Sequence, residues 1–409
     1  MDIEYTQGLY SLEFIKPLTF AFRYLNSVGI IFFDDHIPRY KMYLMHFFVF
    51  ICILFHYMTL FAFVVEKSLA ETRDLAQLVK AGPIIVVVAQ SLFKFVILIS
   101  KKAKIKRIIK EVGAMWRTSE LTNIQLKKKD AIMIRINFYQ KAFFHTSMCG
   151  SILYLFTPFF ESILRRYILH QDYELVLPYA CTYPFNPTKT FFRYCLVYTF
   201  QAYSMVTCTL IFVGSMFLIV AICSHLITEF TLLREDVLHL KPVINNNKEE
   251  MEGDHCGLGI NDFIKRHQKL LNLSRDFDDI FNVINFVILL FATVITCFFA
   301  FTGKVSTGSS LISNIVAAMG MLVGLFVICY FSQMLEEESA GIAQSAYENP
   351  WYKGKVDYQK TIGFIIARSQ KPCFLTSLKY SPINLSTFRK VLSTTWSYFT
   401  LVQNVYDEV

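Results

Sequence analysis

The stretch "LSTFRKVLSTTWSYFTLVQNVYDEV", Leu385–Val409, decides how this chain is read. It is long and aromatic enough for a bilayer helix, yet Ser, Thr, Gln and Asn recur through it. At about 100° per residue, Ser393, Ser397, Thr400, Asn404 and Asp407 fall within a strip roughly 80° wide. A lone hydroxyl in a membrane helix can bond its own backbone. Five polar residues on one strip, one of them an Asn, need a polar neighbour or water. On those residues alone two readings stay open: polar glue between packed helices, or the wall of a water-filled passage. Asp407 and Glu408 add acid near the end of the chain, where carboxylates at a pore mouth would concentrate cations.

The rest of the sequence supplies the bilayer. Of 409 residues 54% are hydrophobic and 16% aromatic, with 40 Phe and 22 Tyr, and only 18% are charged. A soluble domain carries about 25% charged residues. The apolar residues come in blocks, and seven can cross roughly 30 Å of hydrocarbon: Met42–Val65, Ala81–Ser100, Asn137–Phe160, Cys195–Cys223, Phe281–Phe301, Ser310–Phe331 and Leu385–Tyr406. Residues 1–41 show no cleavable signal pattern, so the first span is expected to serve as the insertion signal. The expected fold class is an all-α membrane protein of seven transmembrane helices. Its expected divisions are a cytosolic or interfacial segment (1–41), a six-helix ligand-binding bundle (42–333), cytosolic anchor helices (334–384) and the last helix (385–409).

Charge sets the expected orientation. The N-terminal segment and the loops at 101–130, 224–280 and 334–384 hold 27 Lys and Arg, against 8 on the alternate side. The positive-inside rule then puts the N-terminus in the cytosol and the C-terminus outside, opposite to a G-protein-coupled receptor. The net charge of +8 needs no nucleic acid as partner. The sequons at Asn272 and Asn384 fall on expected cytosolic segments. Ten Cys show no zinc or redox spacing; Cys181 and Cys195 flank one loop and could pair on an oxidising side. His46, His56 and His145 have no metal-ligand spacing and read as packing residues, while Lys94, Arg135 and Lys141 are expected to snorkel from cytosolic ends.

Several spans should continue below the membrane as amphipathic helices, through "HLITEFTLLREDVLHL", "NDFIKRHQKLLNLSRDFDDIFNVINF" and "SQMLEEESAGIAQSAYENPWY". "DYQKTIGFIIARSQ" predicts a separate helix, with Pro372 and Pro382 breaking the chain before the last span. "KPVINNNKEEMEGDHCGLG" reads as a mobile loop, and the segment around Pro17 as interfacial or re-entrant.

The final stretch resembles the C-terminal signature of insect odorant receptors: Ser397, Tyr398, Phe399, Thr400 and Leu401 match its Ser-Tyr-Phe-Thr-Leu core. "ESAGIAQSAYENPWY" is similar to the family's stretch after the sixth span, with Glu338, Ala346, Tyr347 and Trp351 in place. The motifs cover about the last 75 residues; length, span count and inverted topology agree over the whole chain. The resemblance implies a subunit of a tetrameric, ligand-gated, non-selective cation channel in the plasma membrane of a sensory neuron. It would assemble with co-receptor subunits, with the last helix lining the pore and no cofactor. The family's hydrophobic gate falls on Leu401 and Val405 and its polar pore position on Asn404. One face would then carry Thr394, Ser397, Leu401, Asn404, Val405 and Glu408, leaving Ser393, Thr400 and Asp407 towards a neighbouring helix. Gln403 departs from the pattern, since gustatory relatives and the co-receptor place Gln one position later. The co-receptor's own pattern is missing, so a tuning subunit is expected.

The resemblance also implies a small, volatile, apolar ligand held in the outer half of the bundle, by the second, third, fourth and sixth spans. The second span offers Ile84, Val87, Val88 and Ser91, and the third Met148, Ser151 and Tyr154. The fourth offers Tyr198, Gln201, Ala202 and Met205, and the sixth Asn314, Ile315 and Met319. Gln201 and Asn314 are the least comfortable against lipid and are the expected polar anchors. An enzyme reading finds no GxxxxGK[ST], HExxH or GxSxG. A transporter would show pseudo-repeats. A gustatory-type channel of the same superfamily remains the nearest alternative; "NPWY" at 349–352, familiar from G-protein-coupled receptors, lies before the last span and is discounted.

Overall fold

The computed structural model describes residues 10–33, 37–70, 75–170, 175–242, 259–305 and 309–407. Most of the expected mobile loop lies outside them. The helices are α1 (Leu12–Ser27), α2 (Arg39–Leu69), α3 (Leu75–Ser100), α4 (Lys102–Met115), α5 (Asn123–Ile163), α6 (Phe191–Leu238), α7 (Ile260–Val305), α8 (Ser309–Glu348), α9 (Val356–Ser369) and α10 (Leu385–Asp407). A short hairpin pairs β1 (Thr376–Ser377) with β2 (Ser381–Pro382) just before α10.

Seven of these form the membrane bundle: α2, α3, α5, α6, α7, α8 and α10. Five contain stretches long and apolar enough to cross a bilayer, within Arg39–Leu69, Ala81–Ser100, Phe191–Leu238, Ile260–Thr302 and Ser310–Glu348. The third and seventh spans, α5 and α10, are more polar. At 1.5 Å per residue, the 23 residues of α10 still extend roughly 35 Å. The alternation of seven crossings leaves the described N-terminal helix and the C-terminal residues at opposite ends of the bundle.

The central helix is α6, whose lower half is buried on every side, from Val213 to Leu233. It packs against α8, α1 and α5, and a helix surrounded by protein has no reason to be amphipathic. The segment around Pro17 is the helix α1, with Phe14, Phe22 and Leu25 buried in the core. Gln140 Nε2 donates to Pro17 O (3.0 Å), and His225 Nε2 lies 2.8 Å from Phe14 O. Gly29, at φ +86°, makes the left-handed turn that follows α1.

The expected extensions of α6, α7 and α8 run on as continuous helix to Leu238, from Ile260 and to Glu348. They gather with α4, α9 and the hairpin at the basic end of the bundle. Polar ties hold this end together. Arg117 bridges Glu229 and Asp236 on α6. Thr376 N and Oγ1 both donate to Asp278, and Lys379 pairs with Asp278 and Asp279. Burial of Lys379 works against its charge, but the two carboxylates prevail and hold its pKa above the usual lysine value. Asn384 Oδ1 accepts from Thr387 N–H (3.1 Å) and caps the start of α10, so this sequon residue serves the helix end.

One open possibility is answered and one expectation is corrected. Cys181 and Cys195 are both free thiols. The loop carrying Cys181 is tied to α2, through Thr182 N–H to Thr59 O (3.2 Å) and the Thr182 hydroxyl to Glu66 (2.7 Å), while Cys195 sits in the first turns of α6. Lys94 does not snorkel: it is fully buried, its Nζ lies 4.1 Å from the centroid of the Phe212 ring, and it has no hydrogen-bond partner. A buried amine with only a ring to face is costly. Lys94→Met, which keeps the volume, is therefore expected to stabilise the protein by about 1–3 kcal/mol. The midpoint of thermal unfolding in detergent should rise; a fall would mean that the ammonium group has a partner worth more than its desolvation.

Candidate functional site

A cavity of about 110 Å³ lies between α2, α3, α5, α6, α7 and α8, under the loop that joins α5 to α6. Sequence puts it there in two ways. Small residues let α5 and α8 approach: a Cβ on Gly150 would stand 3.5 Å from the Ala317 Cα, and one on Gly320 would stand 3.6 Å from Thr146 O. Larger side chains then line the space these backbones leave: Ile84, Val87 and Val88 of α3, Tyr154 of α5, Met205 and Phe212 of α6, and Phe299 of α7. The wall is thus mainly apolar, as small-molecule sites usually are.

The α5–α6 loop closes the opposite end. Gln201, wholly buried, accepts from Tyr179 N–H through Oε1 (3.2 Å) and donates to Tyr179 O through Nε2 (3.1 Å). That amide-to-backbone pair fixes Tyr179, whose ring stacks obliquely on His56 (5.6 Å between centroids) and whose hydroxyl donates to the Met205 sulfur. Tyr194 Oη donates to Val176 O (3.1 Å), and Ser162 Oγ accepts from Val176 N–H (3.1 Å), so the loop is pinned at both flanks.

Of the residues expected to bind ligand, Ile84, Val87, Val88, Ser151, Tyr154 and Met205 line this cavity. The others lie elsewhere. Ser91 is buried and donates to Val87 O (2.9 Å) and Cys208 O (3.4 Å), joining α3 to α6. Tyr198 donates to Leu155 O, and Asn314 accepts from the Tyr154 hydroxyl. Gln201 holds the loop rather than the space below it. Met148 on α5 and Ala202 on α6 are half-buried but do not line the cavity, while Ile315 and Met319 are exposed. Lining residues that went unnoticed include His56, Gln90, Ser147 and Tyr179. Gln90 was findable: a carboxamide in "VVVAQSLFKF" is as uncomfortable against lipid as Gln201.

The second region of interest is α10. It packs on α7 and α8 through a narrow strip: Leu385, Phe388 and Val391 join the core, Phe388 meets Phe326 edge-on (5.6 Å), and Thr395 is buried. Thr394, Ser397, Leu401 and Asn404 are exposed, as are Leu392, Ser393, Trp396 and Tyr398; Thr400 is half-buried. Around the helix the small and polar residues 393, 394, 397 and 404, with Leu401, fill the middle of the uncovered arc. Leu392 and Trp396 flank it on one side and Tyr398 on the other. The Ser397 and Thr400 hydroxyls donate to Ser393 O (3.1 Å) and Ser397 O (2.9 Å). Val405 lies on the same helix, and Glu408 lies outside the described residues.

The 7tm odorant receptor family model matches residues 74–396. Among curated relatives, putative odorant receptor 92a of Drosophila melanogaster is 23% identical over 279 residues, covering 66% of this chain and 67% of that one. Odorant receptor 67c of the same fly is 24% identical, covering 60% and 59%, and odorant receptor 10a is 26% identical, covering 71% of each. Parts of these relatives, up to two-fifths in 67c, thus lie outside the matched region. The insect olfactory receptor OR5 from Machilis hrabei, solved with eugenol, has the same fold at a TM-score of 0.78 over 95% of this chain and 98% of that one, with 14% identity. A second structure of the same receptor matches equally well, at 0.78 over 96% and 97%, with 14% identity. A seven-helix bundle with a loop-capped apolar cavity, and a family match across most of its length, assign the chain to the 7tm odorant receptor family.

Proposed function

We propose that this chain is a tuning subunit of an odorant-gated, non-selective cation channel in the plasma membrane of a sensory neuron. The N-terminus lies in the cytosol, as the 27-to-8 division of Lys and Arg favours. The basic end formed by α4, α9, the hairpin and the prolonged α6, α7 and α8 is then the cytosolic anchor. Four subunits, co-receptor copies among them, surround a central pore lined by α10. The cavity beneath Tyr179 takes a small volatile ligand, and its mainly apolar wall favours such a molecule over a polar tastant.

One observation carries the channel reading: the uncovered arc of α10, with Thr394, Ser397, Leu401 and Asn404 at its middle. A membrane helix with this much polar surface free of its own bundle needs water or another subunit. Leu401, with Val405 one turn on, supplies the apolar constriction that closes by dewetting, and Asn404 and Glu408 provide polar positions beside it. The test is single cysteines at Ser397, Leu401, Asn404 and Val405, co-expressed with a co-receptor and treated with a charged, water-soluble thiol reagent. Ligand-dependent modification that blocks current is the expected result at Leu401 and Asn404. If none of the four positions reacts or alters conduction in open receptors, α10 is a packing helix and the channel reading fails.

A further inference from the structure

Three side chains that line the cavity carry buried polar atoms with no hydrogen-bond partner: Gln90 Nε2, His56 Nε2 and Ser147 Oγ. Gln90 and His56 are each only 1% exposed. The other hydroxyls of the wall are occupied. Ser151 Oγ meets Thr209 Oγ1 (3.0 Å), Thr146 donates to Ala142 O (3.0 Å), and the Tyr154 and Tyr179 hydroxyls are engaged by Asn314 and Met205. The unmatched groups are thus three, one each from α2, α3 and α5.

Their polarity is readable. Gln90 Nε2 is a carboxamide donor. His56 Nδ1 lies 2.6 Å from Ser204 Oγ, a hydroxyl that also meets the Cys208 thiol. When the serine donates to Nδ1 the ring hydrogen sits on Nε2, which is then a second donor; in the other tautomer Nε2 accepts. Ser147 is a hydroxyl one helical turn before Ser151 and can also donate. A buried donor left unmatched is costly. A molecule carrying an acceptor oxygen would relieve that cost only when bound.

We propose that the cavity selects a largely apolar ligand bearing one carbonyl oxygen, a ketone, aldehyde or ester, received by Gln90 and His56 with Ser147 beside them. This rests on the reading of the cavity as the ligand site. Selection follows from the difference between partners made and partners lost. A hydrocarbon of the same shape fills the space and leaves both donors unmatched.

The experiment uses the full chain co-expressed with a co-receptor and matched pairs differing only in C=O against CH₂: acetophenone with ethylbenzene, and 2-heptanone with n-heptane. The carbonyl member should activate at concentrations roughly ten-fold lower or better. Gln90→Leu should narrow that gap; if it fails to reach the surface, Ser147→Ala, which removes a single oxygen, reads the same contrast. Val87→Phe, which fills the cavity, should abolish both members' responses. Equal or alkane-favouring potency, no response to any pair, or a gap unmoved by these variants overturns the acceptor inference. Responses that survive Val87→Phe in surface-expressed receptor overturn the cavity reading itself.

Discussion

Arg117→Ala is expected to cost about 3–5 kcal/mol and to strip most of the folded receptor from the cell surface. The reason lies at the basic end, where the chain leaving α4 turns back towards α5. Arg117 Nη1 is 2.6 Å from Asp236 Oδ2, and its Nε is within ion-pair range of Glu229 Oε2 at 3.5 Å. Its backbone N–H donates to Glu229 Oε1 (3.1 Å), and its carbonyl accepts from Lys129 Nζ (2.8 Å). Glu229 is 3% exposed and Arg117 11%, so removing the guanidinium leaves a carboxylate with almost no solvent, held only by the residue-117 N–H and the charges of Arg266 and Lys129. Asp236 suffers less, because Gln125 Nε2 still donates to it at 2.6 Å.

Net stability of a folded domain is about 5–15 kcal/mol, so a loss of that size is decisive. Two companion variants separate a stranded charge from simple loss of packing. Arg117→Lys keeps the charge but not the fork that reaches two carboxylates, and should fall between wild type and Ala. Glu229→Gln introduced into Arg117→Ala should recover part of the surface signal, because the buried charge is gone. Surface labelling together with thermal unfolding in detergent measures both. If Arg117→Ala reached the surface at wild-type level, the cluster would be decoration rather than a tie.

The difference between what was legible in the sequence and what was not follows the reach of each signal. Helices reveal themselves locally: apolar blocks gave the spans, and amphipathic spacing carried α6, α7 and α8 past the membrane and marked α9. The choice of face is not local. On α3, Val87 and Val88 line the cavity, but the polar lining residue is Gln90 and not its neighbour Ser91, which is turned to Cys208 on α6. One residue is about 100° of rotation, and only the packed neighbours decide it. Gln201 shows a second kind of limit. Its discomfort in lipid correctly marked it as needing partners, but the partners are the backbone of a loop that no periodicity could place. Lys94 shows the reverse: proximity to a span's end suggested an escape to water that the surrounding helices close off.

A residue of the motif that was set aside supports the other large expected effect. Asn349 opens the "NPWY" stretch, and it caps the end of α6 from across the bundle. Its Nδ2 donates to Val237 O (3.0 Å), Leu238 O (3.3 Å) and Leu240 O (2.8 Å), carbonyls at or just past the helix terminus. Val237 O also accepts from Leu240 N–H (3.5 Å) and Leu240 O from the Tyr358 hydroxyl (3.4 Å), which leaves Leu238 O most dependent on Asn349. Tyr358 of α9 donates its hydroxyl to Asn349 Oδ1 (3.0 Å), so one buried carboxamide joins α6, α8 and α9. Asn349→Ala should therefore cost about 1–3 kcal/mol, the penalty for acceptors left unmatched. Asn349→Asp, though closer in shape, should do more harm, roughly 3–5 kcal/mol near neutral pH. It removes both donors and sets a carboxylate against three carbonyl oxygens. Burial raises the pKa of such a carboxyl in the folded state, so its deficit is present when the group is ionised and shrinks as pH falls and the group takes up a proton. Thermal unfolding of the two variants between about pH 8 and about pH 5 makes the comparison, with Asp recovering relative to Ala towards the acid end. If Asp were the milder substitution at neutral pH, Asn349 would be holding Tyr358 rather than the end of α6.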